Sequence, residues 1–171
     1  PLVARSQAID KCGTVAIIDG RLKAQRSIDQ RRTQAVFLSP TGRFRMNYDT
    51  TGPDAVPPAD ANGNGIPDYV ERSAQYADEA WQLQVAVQGF RDPVGAIPYD
   101  IFFEEMGFYG YTQPVGGGRT IIVVHRDFEG FPPNTDPEGQ VWGALKVTIA
   151  HEFKHAIQYA TNQWQGDAGR V

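Results

Sequence analysis

The sequence carries one cysteine and only three histidines in 171 residues. With Cys12 alone, no disulfide can form within the chain. Its simplest role is that of a small buried apolar residue. No apolar run approaches membrane-spanning length, and no signal peptide is visible. An excess of positive charge is also missing: the formal net charge is -4, which gives a nucleic-acid partner no support. What remains is ordinary apolar content, enough for one real core, with any second core small. The first residue is Pro1 rather than Met, as expected of a processed product.

Two of the three histidines fall in one pentapeptide, His151-Glu152-Phe153-Lys154-His155. Histidines four apart on a helix lie one turn above each other, so both imidazoles can reach a single metal ion. The glutamate between them faces the same space without having to be a ligand, and can take a proton from a water that the metal polarises. Ile149, Phe153, Ile157 and Ala160 repeat at helical spacing, with Ala156 inside the stripe. His151 and His155 fall on the opposite side with Thr148 and Gln158, so the helix is expected to bury one face and turn the other to a cleft. The bland alternative is an ordinary helix whose histidines cap or solvate a surface, since three fixed letters in five arise by chance.

A second informative stretch is Asp60–Glu71. Asp60, Asn62, Asn64, Asp68 and Glu71 stand at positions 1, 3, 5, 9 and 12 of a twelve-residue calcium loop. Gly65 fills position 6, where the turn is sharp, and Ile66 offers its carbonyl at position 7. Pro67, at position 8, has no N–H to share with a partner loop, so the loop is expected to be solitary. Proline is also favourable in the first turn of the outgoing helix. The competing reading is an Asn/Gly-rich turn that binds nothing.

Around these motifs the chain predicts an α+β fold, a twisted sheet backed by two long helices, the second carrying the histidines. Thr14–Asp19 reads as a short strand, Ala35–Leu38 as extended, and Phe44, Met46 and Tyr48 as one face of a half-buried strand. A helix over about 68–88 places Val70, Ala74, Ala77, Trp81 and Val85 on one side, with Gly89 as its stop. Tyr99–Phe103 and Thr120–His125 are further strands. Gly116-Gly117-Gly118 is a loop and lacks the lysine of a phosphate cradle. Residues 125–142 are expected to rim a cleft. Residues 1–34, with Arg21, Lys23, Arg26, Arg31 and Arg32, read as a leader or propeptide segment, and 35–171 as the main domain.

The H-E-x-x-H helix and the preceding sheet resemble the zincin metallopeptidases. Asn64-Gly-Ile-Pro-Asp-Tyr-Val70 and Ala150-His-Glu-Phe-Lys-His-Ala-Ile-Gln158 are more narrowly similar to a group of secreted bacterial metallopeptidases. The resemblance runs from about Phe44 to the end. It implies a zincin fold, one catalytic Zn²⁺, a structural Ca²⁺, an extracellular setting, and hydrolysis of protein or peptide substrates with Glu152 as general base. The metzincin pattern would need glycine at Gln158 and histidine at Thr161, so the resemblance is gluzincin-like, and its third zinc ligand would be a glutamate further along. Sixteen residues follow His155 and none is glutamate. The expectation is therefore either a third ligand beyond Val171, the 171 residues being an N-terminal part and by themselves inactive, or Asp167 or His125 in its place.

Lys11-Cys12-Gly13-Thr14 is loosely similar to the cysteine-switch segment of latent metallopeptidases, which implies Cys12 as a latency ligand on zinc and cleavage within 21–32 as activation. From a different class, the same sequence reads as a calcium-stabilised secreted binding or adhesion module with a fortuitous or degenerate H-E-x-x-H.

Overall fold

The computed structural model describes residues 11–20 and 26–165. The fold is α+β, a five-stranded mixed sheet with helices against it. In chain order it comprises α1 (Thr14–Ile18), β1 (Ala35–Leu38), β2 (Phe44–Tyr48), α2 (Asp68–Trp81), β3 (Tyr99–Glu104), β4 (Gly110–Gly116), β5 (Arg119–His125) and α3 (Gln140–Asn162). The sheet order is β1-β2-β3-β5-β4. β2, β3 and β5 run parallel, while the outer strands β1 and β4 are antiparallel to their neighbours. A parallel pair needs a crossover, and α2 supplies it between β2 and β3.

Alternation along the strands gives the sheet two apolar faces. Met46, Ile101, Phe103, Ile122 and Val124 point toward α2 and α3 and meet Val70, Ala74, Ala77, Ile149, Phe153 and Ile157. The ring of Phe153 packs edge-on to Phe44 and Tyr99 and anchors α3 over the parallel strands. The opposite face carries Phe102, Tyr111, Ile121 and Val123, and Ile17 and Ile28 from the N-terminal part of the chain cover it. The second strand is thus more enclosed than half-buried: Phe44, Met46, Asn47 and Tyr48 are all buried.

Both long helices form where their patterns place them. α2 opens after Pro67, with Asp68 and Glu71 in its first turn, and continues as a π-helical stretch to Val87 before Gly89 turns it with positive φ. Two expectations are corrected. Thr14–Ile18 is a short helix rather than a strand: Thr14 and Ile17, three residues apart, reach two different parts of the protein, and those contacts override β-branched propensity. Residues 110–116 form an edge strand where none was expected. Among the described residues, no helix is long and apolar enough to cross a membrane.

Candidate metal centre

The site lies where α3 passes under the edge strand β4. The crossing is close because Gly110 has no side chain: a Cβ there would stand 2.8 Å from both Thr148 Cγ2 and the carbonyl oxygen of Val123. Two residues on, Thr112 presents its hydroxyl to α3, 2.8 Å from the carbonyl oxygen of Glu152 and 2.9 Å from its Oε2. The N-terminal part reaches the same spot over the free edge of β4. Cys12 bridges to Gly110, the Gly13 N–H donates to the Gly110 carbonyl at 2.9 Å, and the Thr112 N–H donates to Thr14 Oγ1 at 2.8 Å.

Four side chains converge there. His151, His155, Cys12 and Glu152 each offer one ligand atom, all within 4.8 Å of one another. The two Nε2 atoms are 3.1 Å apart, and Cys12 Sγ is 3.4 Å from His155 Nε2. Bond lengths of a tetrahedral zinc site put two nitrogen ligands about 3.3 Å apart and a nitrogen and a sulfur about 3.6 Å apart. The donor set, two imidazoles with a thiol and a carboxylate beside them, therefore fits a zinc-sized ion in both chemistry and spacing.

The surroundings prepare the imidazoles as ligands. His155 Nδ1–H donates to Gln158 Oε1 at 3.0 Å; a carbonyl oxygen only accepts, so the proton sits on Nδ1 and the Nε2 lone pair faces the cluster. Burial, helped by the neighbouring His151, lowers the His155 pKa to about 4, and burial also lowers that of His151. Both rings are thus neutral near pH 7, as metal ligation requires. Burial and the nearby Glu152 charge push the Cys12 thiol up to about 11, so it stays protonated at neutral pH without a cation beside it.

Glu152 is fully buried, and that burial raises its pKa to about 7 against hydrogen bonds from Thr14, Thr112 and Cys12 that lower it. Oε2 accepts from Thr14 Oγ1 at 2.6 Å and from Thr112, while Oε1 is buried with no hydrogen-bond partner. The histidine face meets a cleft in part: Thr148, His151 and Glu152 line a cavity, whereas His155 is buried. His151 alone stands exposed, while Glu152 and His155 lie under β4 and residues 12–14. A cavity of about 620 Å³ opens beside them, with Tyr109, Pro133, Ala144 and Val147 in its walls. Residues 132–137 of the 125–142 loop do line it, as a rim would.

Other predicted residues lie elsewhere. His125 ends β5, where its Nδ1 accepts the N–H groups of Asp127 and Phe128 at 3.2 and 2.9 Å, and it does not join the cluster. Asp167 lies outside the described residues, as do Arg21 and Lys23. The loop of Asp60–Glu71 closes on itself through side chains. Asp60 accepts the N–H groups of Gly63, Asn64 and Gly65, Asp68 accepts that of Ala61, and the amides of Asn62 and Asn64 donate to Glu71. Ile66 packs against the main core.

Three participants escape a reading of the sequence: Thr14, Thr112 and Gln158 as the orienter of His155. Only Gln158, three residues after a histidine on one helix face, leaves a pattern that could have found it. Comparison with family models, with curated proteins and with solved structures returns no match.

Proposed function

We propose that the chain is the histidine-bearing part of a zinc-dependent metallopeptidase, gluzincin-like and secreted, held latent by Cys12. The observation that carries this is the pair of Nε2 atoms 3.1 Å apart on α3 with the Glu152 carboxylate beside them. His151 and His155 would hold Zn²⁺, and in the latent form Cys12 would be a third ligand. When bound there, zinc supplies Lewis acidity, polarising a scissile carbonyl and making a water more acidic.

This chain's residues do the rest. Gln158 fixes the ring of His155, and burial keeps both imidazoles neutral. Glu152, with a pKa near neutrality, can accept the water's proton and return it to the leaving amine. Thr112 steadies the carboxylate by its hydroxyl. The remaining ligand of the active site would come from beyond Val171 or from Asp167. The loop at Asp60–Glu71 is assigned a structural Ca²⁺.

Metal analysis of the intact secreted protein should find one zinc per chain. Glu152→Gln should keep that zinc while peptide hydrolysis falls by about a hundredfold or more. Absence of zinc from the purified protein would favour the calcium-stabilised adhesion module, and full turnover by Glu152→Gln would remove the glutamate from its role.

A further inference from the structure

Residues 12–14 hold more of this site than the thiol. Thr14 is fully buried, and its hydroxyl stands between two groups that β4 and α3 bring together. It accepts the N–H of Thr112 at 2.8 Å and donates to Glu152 Oε2 at 2.6 Å. A threonine hydroxyl has one proton. Thr112 shares its proton between the carbonyl and the carboxylate of Glu152, whereas that of Thr14 has the carboxylate as its acceptor. The firmer hydrogen bond on Oε2 is therefore the one supplied by the N-terminal segment. The other oxygen, Oε1, is buried without a hydrogen-bond partner while the segment is in place.

The seat of the segment is specific. The Gly13 N–H donates to the Gly110 carbonyl, so the backbone pairs with the β4 edge beside the glutamate. Gly13 lies close under Phe108: a Cβ on it would stand 2.6 Å from Phe108 Cε2, so a side chain there would displace that ring. One tripeptide thus meets three things at once, the imidazoles through Cys12, the strand edge through Gly13, and the base through Thr14.

We infer that Thr14 is a second lock on the centre, sequestering Glu152 and the Thr112 N–H, so that latency rests on hydroxyl and thiol together. The inference builds on the peptidase reading and names the regulation of that same site. Displacing Cys12 alone leaves the base engaged and the edge N–H taken. Release requires the whole tripeptide to leave β4.

Cys12 is the sole cysteine and lines the cavity half-buried, so the change in its alkylation by iodoacetamide relative to the native protein, read as the mass of the intact protein, reports added lifting of the segment. Metal-free Thr14→Val keeps shape and burial but loses both hydrogen bonds. It should alkylate about tenfold faster than the native protein, the factor expected for losing a hydrogen bond to a charged group. The Thr112 amide should exchange its hydrogen faster in parallel, and Thr14→Ser should restore both rates. Gly13→Ala, which pushes on Phe108 and leaves Thr14 intact, should lift the segment as well. In the zinc-loaded protein, Cys12→Ser with Thr14→Val should cut peptides several-fold faster than Cys12→Ser alone. Native alkylation and exchange rates in Thr14→Val overturn the lock. Faster alkylation with no hydrolysis and no bound zinc in any variant of the intact secreted protein supports the lock and overturns the peptidase reading instead.

Discussion

A buried side chain can be held in one protonation state by what surrounds it, and His125 shows how. Its Nδ1 accepts two backbone N–H groups, so a proton cannot be added there without breaking both. Burial lowers its pKa, outweighing the nearby Glu105 and Asp127 carboxylates that raise it. A histidine with a folded pKa below its unfolded value takes up fewer protons when folded. Its contribution to stability is complete above the unfolded value of about 6.5 and is lost as pH falls toward the lowered folded pKa. Stability of the metal-free protein should therefore decline below about pH 6.5, and His125→Gln should decline less steeply. His151 and His155 add slope of the same sign, so the quantity to measure is the difference between the two denaturation profiles. Parallel profiles would mean that His125 titrates as freely in the fold as out of it. The roles of Thr14 and Thr112 at Glu152 belong to the same scale, and their identities carried no such message in the sequence. A threonine donates to a carboxylate only where the chain brings the two together, here across 138 and 40 residues.

At the scale of elements, what the sequence made legible followed from period and capping. α3 and α2 bury the faces their apolar spacing marks, and β2, β3 and β5 form where β-branched and aromatic residues cluster. β4 was hidden by composition. Gly116 at its end belongs to the stretch read as a loop, yet Pro114 costs little on an edge strand, and Gly110 is what lets β4 approach α3. The loop before α2 shows the other limit of reading by pattern. Its spacing matches a calcium loop, and its side chains close a ring in which Asp60 and Asp68 accept backbone N–H groups and Glu71 accepts two amides. Three carboxylates in twelve residues repel one another, and a divalent cation would relieve that repulsion. If the loop binds Ca²⁺, adding it to calcium-depleted protein at 100 to 1,000 times the dissociation constant should give about 3–4 kcal/mol. That corresponds to a rise in Tm of roughly 5–15 °C for a domain of this size. Glu71→Gln should lose most of the rise and Mg²⁺ should not reproduce it. An unchanged Tm would leave the stretch as a turn.

At the scale of the whole molecule, the N-terminal part is not simply a plug that can be pulled. It crosses the β4 edge at residues 12–14 and then covers the far face of the sheet, with Ile17 and Ile28 over Phe102, Tyr111, Ile121 and Val123. Arg31, expected from the sequence to sit in a solvated basic stretch, is instead buried. Its guanidinium pairs with Glu104, donates to Tyr111 Oη at 2.8 Å and lies over the ring of Phe102. Glu104 is itself buried, so removing the arginine leaves a carboxylate whose partners among the described residues are Tyr111 and the more distant Arg26. A pair of this kind contributes little net stability when intact, yet costs about 3–5 kcal/mol when one member is lost. Arg31→Ala should therefore destabilise by about that much in urea, while Arg31→Ala with Glu104→Gln recovers a large part of it. For the latency proposed above, the consequence is a division within the N-terminal part. On that proposal residues 12–14 would leave to free Glu152 and His155, whereas residues 28–31 would stay to keep the far face covered. A cut between them satisfies both, and size-exclusion chromatography after it should find the piece carrying residues 11–20 released, while a chain begun at Ala35, which lacks Ile28 and Arg31, should be less stable in urea than the cut domain. A chain begun at Ala35 that stays monomeric and as stable in urea as the cut domain would show that the far face needs no cover and that Arg31 is no anchor.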